Sequence, residues 1–302
     1  MLSQQEIDIY NRDGYLLVKN AISSEQLDTM RKATAALIDQ SRAVDASDSR
    51  FDLDKGHGPN NPRLTRIKHP HKLNREAFWS PLQNSRMTEV LNSLLGPNTV
   101  LQSTKLNTKA PGGGQAVEWH QDWAFYPHTN DDMLAFGLML EDVDEANGPL
   151  QVIPGTHKGP VLAHTNKDGT FCGAIDPADP DFDYSKAVTL TGKAGDMTVH
   201  HVRMLHGSSP NNSDRNRYIL FYECRSADAW PLLGSGSYTM QGVSNQQAIW
   251  DIMHDHVITG EYMTVPRCEA VPVRIPLPPA PDAGSIFKTQ QTGGAKSVYA
   301  AE

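Results

Sequence analysis

The sequence is poor in the features that mark several large protein classes. Its 302 residues include only three cysteines, Cys172, Cys224 and Cys268, odd in number and widely separated. Neither a disulfide framework nor a Cys-x-x-Cys zinc site follows from them, and a reducing cytoplasmic compartment is the default expectation. A basic excess is also missing, since 35 acidic residues face 27 basic ones for a net charge of -8. That argues against a protein that grips nucleic acid through a positive face. The longest conspicuous apolar run, Leu134 to Leu140, is far shorter than the ~20 residues that span a bilayer. Residues Met1 to Glu6 lack the basic-then-apolar pattern of a secretory signal, so no membrane partner is expected. No internal repeat is present.

What is present is patterned. Ser3 to Asn11 reads as a short helix and Gly14 to Lys19 as a strand. Ser23 or Ser24 caps a second helix, with Leu27, Met30, Ala33 and Leu37 as its apolar stripe. Val44 to Asn61 is polar and reads as a loop; Arg63 to Lys68 returns as a strand. Phe78 to Leu95 predicts a helix stopped by Gly96 and Pro97. Strands are then expected at Thr99 to Lys109, Leu134 to Glu141, Leu150 to Ile153, Ala187 to Leu190, Met197 to Leu205 and Tyr218 to Cys224. Gly, Pro and Asn turns separate them. A further helix is expected over Gln246 to Ile258. The sum predicts a mainly β protein with flanking helices, a double-sheet barrel or jelly roll. It forms one domain over residues 1–275, followed by an extended C-terminal tail, 276–302.

Chemistry concentrates at Trp119-His120-Gln121-Asp122-Trp123. On an extended strand, alternate side chains share a face, so His120 and Asp122 point the same way. An imidazole nitrogen and a carboxylate oxygen converging on one point suit a divalent metal. A second histidine would complete the two-histidine, one-carboxylate set that leaves positions open on ferrous iron. His57, His69 and His71 lie in polar, Pro-rich stretches and read as solvated. His254 and His256 flank Asp255 in the expected helix and would not face each other. If Met197 to His206 is one strand, His200 and His206 are about 20 Å apart and cannot share a metal. His206 is preferred because the turn at Gly207 to Asn212 sends the chain back as an antiparallel strand. A hairpin centred between Asn211 and Asn212 puts His206 opposite Arg217. A guanidinium there would hold the far carboxylate of a dicarboxylate co-substrate by a two-pronged salt bridge. The alternative is that Arg217 is a surface residue on a sheet edge.

These residues resemble the phytanoyl-CoA dioxygenase family of iron(II)- and 2-oxoglutarate-dependent oxygenases. The resemblance is carried by His120-x-Asp122, by His206-Gly-Ser208, and by Arg217 eleven residues after His206. Asn147-Gly-Pro-Leu150 running into Ile153-Pro-Gly-Thr-His-Lys-Gly159, and Lys109-Ala-Pro-Gly-Gly-Gly114 before the opening motif, extend it over roughly residues 5 to 225. It implies a double-stranded β-helix of cupin-like jelly-roll type. It further implies iron ligands His120, Asp122 and His206, with Arg217 and Ser208 on the distal carboxylate of 2-oxoglutarate. Asn107, Lys105 and Lys68 are implied as further co-substrate contacts, against the alternative that the lysines are solvated charges. Halogenating relatives replace the carboxylate ligand with a small residue, so Asp122 implies hydroxylation or a related oxidation with O2 and release of succinate and CO2. Gln121, Trp123, Phe125, Tyr126 and His128 are expected to line the mouth for a small-molecule substrate. The alternative for Trp119 and Trp123 is packing on the sheet's outer face. A monomer or homodimer is expected. Two rivals stand beside this reading: a cupin-like metal hydrolase or isomerase that needs no O2, and a non-catalytic binding protein on the same fold.

Overall fold

Two antiparallel sheets and a layer of helices form the structure, a computed structural model that describes residues 1–232, 254–274, 278–279 and 285–299. α1 (Gln4–Asp13) opens with a reciprocal cap: the Ser3 hydroxyl accepts from the Glu6 amide while the Glu6 carboxylate accepts from the Ser3 amide. β1 (Tyr15–Val18) follows. α2 (Ser24–Ser41) is capped in the same way by Ser23 and Gln26, and buries Leu27, Met30, Thr34 and Leu37. The polar stretch read as a loop contains β2 (Phe51–Leu53), which pairs with β3 (Leu64–Lys68) because the fully buried Phe51 anchors it. Two short helices, α3 (Pro70–Leu73) and α4 (Arg75–Phe78), precede the helix expected over 78–95, which is broken into α5 (Ser80–Gln83) and α6 (Arg86–Leu95). Asn74 and Ser85 each turn a side-chain oxygen to the next helix's amides and restart it.

The strands are β4 (Thr99–Lys109), β5 (Val117–His120), β6 (Met133–Met139), β7 (Leu150–Val152), β8 (Val188–Leu190), β9 (Met197–His201), β10 (His206–Ser208), β11 (Arg217–Ser226) and β12 (Val257–Thr259). The large sheet runs β1-β9-β6-β11-β4-β3-β2, with β12 also paired to β4; the small sheet runs β5-β10-β7-β8. The period-two alternation of a strand decides what each face of the large sheet does. Ile67, Leu106, Leu134, Phe136, Leu138, Val199, Leu220, Tyr222 and Cys224 join Met30, Phe78, Leu82 and Val90 in one apolar core beneath the helices. The intervening residues Arg66, Lys105, Asn107, His200, Arg217, Ile219 and Phe221 face the small sheet, and line a cavity with its Val117, His120, Leu150, His206 and Ser208. This is the expected mainly β double-sheet architecture.

Several expectations need correction here. Met197 to Leu205 is not one strand: β9 ends at His201, and the chain crosses to the other sheet before β10. β10 and β11 do not form a hairpin, since β10 pairs with β5 and β7 while β11 pairs with β4 and β6. Val257–Thr259, expected at the end of a helix, is strand because it extends the large sheet along β4; most of that expected helix lies outside the described residues. The C-terminal segment is not extended throughout, for α7 (Ile286–Thr292) is capped by Ser285 and buries Ile286 and Phe287. His71 is also not solvated. It is 1% exposed and shares a 2.6 Å hydrogen bond with the Thr104 hydroxyl. His57 is wedged between the Ser41 and Arg63 carbonyls.

Candidate metal centre and its cavities

Strand pairing brings the two histidines together. His206 in β10 lies opposite His120, the last residue of β5, and their ring centroids are 4.1 Å apart. Each ring is fixed by its Nδ1, which reaches the Glu118 carbonyl at 2.8 Å from His120 and the Met204 carbonyl at 2.9 Å from His206. A carbonyl only accepts, so Nδ1 carries the proton and the Nε2 lone pair is left for a ligand. The chain leaves β5 in a short 3-10 turn whose first residue is Asp122. That carboxylate sits 3.7 Å from His120 Nε2 and 3.9 Å from His206 Nε2. The three ligand atoms lie within 4.8 Å of one another and are buried. Ligands held ~2.1 Å from one ion are roughly 3 to 3.5 Å apart, so a small contraction closes the set on a metal.

The electrostatics fit a cation. Burial alone would raise the Asp122 carboxyl, but the Lys105 ammonium and the neighbouring imidazoles hold it well below the usual carboxylate range. Burial, with His120 and His200 alongside, pushes the His206 imidazole well down, so it is neutral and ready to ligate. Lys105 Nζ is 2.5 Å from Glu223 and 4.0 Å from Asp122. The Tyr126 phenol is pushed up by burial and by the charges of Asp122 and Glu223.

Arg217 is the second feature. It is 2% exposed at the start of β11, donates one bond from Nη2 to the Gly148 carbonyl at 2.7 Å, and leaves Nε and Nη1 without partners. Burial pushes its guanidinium down to about 9. A buried cation with two unused donors is costly unless an anion completes it. Gly148 makes the approach possible: at φ 80° a side chain there would be strained, and a Cβ would meet the Ser209 carbonyl at 2.6 Å and the Lys109 chain at 2.9 Å. Lys109, which sequence reasoning missed, is fully buried and donates to the Ser208 hydroxyl at 2.7 Å and to the Ser208 and Ser209 carbonyls. Burial and Arg217 push its ammonium well down.

Two cavities meet at Asp122. The narrow one runs between the sheets and is lined by His120, Asp122, His200, His206, Ser208, Asn107 and Arg217. The wider one, about 370 Å³, is lined by Lys68, His69, Ser103, Phe125, Tyr126, Phe171 and Ser285. Arg66, Lys105, Asp122 and Ile286 border both. The structure thus gathers His120, Asp122, His206, Ser208, Asn107, Lys105 and Arg217 in one place. Lys68 is drawn aside, paired to Asp52 at 2.7 Å, and borders only the wider cavity. Phe125 and Tyr126 line that cavity.

Gln121, Trp123 and His128 do not line it. The Gln121 amide is fully buried, donating to the Pro160 and Arg203 carbonyls and accepting from the Leu162 amide, because alternation turns it away from its ligand neighbours. Trp123 packs on Met133, Val161 and Val202, with its indole N–H on the Pro272 carbonyl. His128 is held by the Tyr126 carbonyl and the Gln102 side chain. Sequence reasoning also missed His200. Instead of lying about 20 Å from His206, its ring centroid is 4.4 Å away and its Nε2 is 3.6 Å from Asp122, with neither ring nitrogen hydrogen-bonded. The chain reversal between β9 and β10 folds the two rings onto each other. Arg66 could have been found from alternation, since it shares a strand face with Lys68.

Comparison with known proteins agrees with this geometry. The sequence profile described as phytanoyl-CoA dioxygenase (PhyH) matches residues 10–219. A Stutzerimonas stutzeri protein described as a probable alpha-ketoglutarate-dependent hypophosphite dioxygenase is 34% identical over 294 residues, 96% of this chain and 98% of the relative. The peroxisomal phytanoyl-CoA dioxygenase of Rattus norvegicus is 26% identical over 244 residues, covering 76% of this chain and 70% of that protein. Among solved structures, the alpha-ketoglutarate-dependent carbocyclase SnoK from nogalamycin biosynthesis shares the fold with a TM-score of 0.65 at 20% identity, covering 80% of this chain and 92% of its own. EctD from S. alaskensis with bound Fe gives 0.62 at 22% identity, covering 75% and 77%.

Proposed function

The chain belongs to the phytanoyl-CoA dioxygenase family of iron(II)- and 2-oxoglutarate-dependent oxygenases, and from that premise we propose that His120, Asp122 and His206 hold the ferrous ion. It is an oxidoreductase that oxidises a small molecule and releases succinate and CO2. The bound ion, with 2-oxoglutarate and O2, supplies the oxidant that puts one oxygen atom into the substrate and the other into succinate.

The observation that carries the assignment of residues is the half-unpaired guanidinium of Arg217 in the same cavity as the three ligand side chains. Its free Nε and Nη1 receive the distal carboxylate of 2-oxoglutarate, assisted by the Ser208 hydroxyl that Lys109 orients. Asn107 lines the path between the two ends. Lys105, tied to Glu223, holds Asp122 ionised and in place. Phe125, Tyr126 and Phe171 wall the wider cavity through which the substrate reaches the ion and shield it from water. An O2-independent metal hydrolase would have no task for Arg217. Hypophosphite, named for the Stutzerimonas relative, is the first substrate to try. Its oxidation consumes one P–H bond, gives phosphite and a proton, and balances against one O2 and one 2-oxoglutarate.

Anaerobic titration with Fe(II) and 2-oxoglutarate, followed by a succinate-release screen beginning with hypophosphite, tests the reading. Asp122→Ala should abolish substrate-coupled succinate release. Full turnover by that variant would sink the ligand assignment.

A further inference from the structure

Three cations border the wider cavity, and two already have partners. Lys68 is paired with Asp52 at 2.7 Å, and Lys105 with Glu223 at 2.5 Å. The third, Arg66, has no carboxylate within 4.0 Å among the described residues. Its Nε donates to the neutral Asn107 oxygen at 3.2 Å, and its Nη2 is buried without a partner. The guanidinium sits 5.6 Å from the centre of the Phe287 ring, which α7 holds in place. It borders both cavities beside Asp122, where a substrate must lie to meet the ion. Strand register adds to its fixity, for Arg66 lies opposite Asn107 in β4, so the donor it uses and the one it leaves free are set by the sheet.

We propose that Arg66 holds the negative charge of the substrate, and that the substrate carries one such charge. This rests on the iron and 2-oxoglutarate reading above. In that reading the two positive charges of the ion are met by Asp122 and the proximal carboxylate of 2-oxoglutarate, and Arg217 is met by the distal one. Of the cations bordering the wider cavity, Arg66 is then the one left without a matching negative charge. A neutral substrate leaves a buried guanidinium donor unpaired, and a dianion brings one charge more than the cavity can neutralise; both are unfavourable away from water. A monoanion closes the balance. Hypophosphite fits this class; phosphite, which is mostly dianionic above neutral pH, is the matching product and should leave.

The test uses full-length Fe(II)·2-oxoglutarate enzyme under anaerobic conditions at pH 8, titrated calorimetrically with hypophosphite, formate, methanesulfonate, phosphite and acetamide. The wild type should bind at least one monoanion, and bind it more tightly than phosphite or acetamide. Arg66→Met should weaken that binding ~30-fold or more, as expected for loss of a charge-assisted hydrogen bond, with Arg66→Lys recovering part of it. In turnover the same loss should fall on KM more than on kcat. Affinity for 2-oxoglutarate, measured on each variant, should stay within about threefold, because Arg217 is intact. Binding of none of the monoanions, preference for phosphite or acetamide, an unchanged affinity in Arg66→Met, or an equal loss of 2-oxoglutarate affinity would each overturn the proposal. A wild type that fails to bind 2-oxoglutarate at all would instead remove the reading on which it rests.

Discussion

At the scale of single residues, the site is a set of polar groups left incomplete on purpose. Arg217 is the clearest case, and it predicts a trade-off. Replacing a buried, half-satisfied charge with an apolar chain of similar size is often neutral or stabilising. Arg217→Met should therefore bind 2-oxoglutarate at least ~100-fold more weakly, while the melting temperature of the protein without 2-oxoglutarate stays level or rises. A fall of several degrees without the co-substrate would mean that Arg217 serves the fold rather than the ligand. The ligand pair His120 and Asp122 was legible because their spacing is local and survives any fold that keeps the chain extended between them. Arg66 and His200 were less visible, since their importance depends on partners they do not have. A sequence shows which residues are charged, and does not show which are left unpaired.

At the scale of elements, the sequence pattern predicted strands well and their partners poorly. In Met197 to His206 the apolar–polar alternation breaks at His200-His201, where β9 ends, but a break of that kind does not by itself tell a crossing between sheets from a bulge within one strand. The hairpin register that pointed to Arg217 is absent, yet Arg217 still faces His206's cavity, because the two sheets close over each other. Its place in the cavity comes from the packing of the two sheets and not from a hairpin. The C-terminal segment was misjudged for a related cause. Its Pro- and Gly-rich surroundings hide a seven-residue helix that is capped by Ser285 and stabilised by docking. Gln290 fastens α7 to β5 through the Glu118 backbone and to the Gly173 carbonyl. Phe287 is 4% exposed, so Phe287→Ala should cost about 3 kcal/mol in urea denaturation. A cost below about 1 kcal/mol would show that α7 lies outside the cooperative unit.

At the scale of the molecule, buried neutral histidines set the acid limit of the fold. Burial pushes the imidazoles of His71, His128 and His164 down to about 3. Unfolded, each would take up a proton near the ordinary value of about 6.5. Between those values the unfolded chain binds more protons, so stability rises with pH across that window. The contribution is fully present above about pH 6.5 and is lost as pH falls toward 3, by roughly 1.4 kcal/mol per histidine at pH 5.5. Urea midpoints at pH 7.5 and 5.5 should differ accordingly, and equal midpoints would contradict the neutral assignment. Among the described residues, no helix is long and apolar enough to cross a membrane.

The two faces of the large sheet have one further consequence. Its outer face is locked to the helices by Leu106, Leu220 and Tyr222, while the inner face carries Arg66, Ser103 and Lys105 at alternate positions along two neighbouring strands. The metal ligands come from the other sheet and the turn after it. Diversification is thereby uncoupled from catalysis. A lineage, or a laboratory library confined to positions 66 and 103, can exchange one guest for another while the ion's anchorage, Lys105 included, and the scaffold behind it stay as they are.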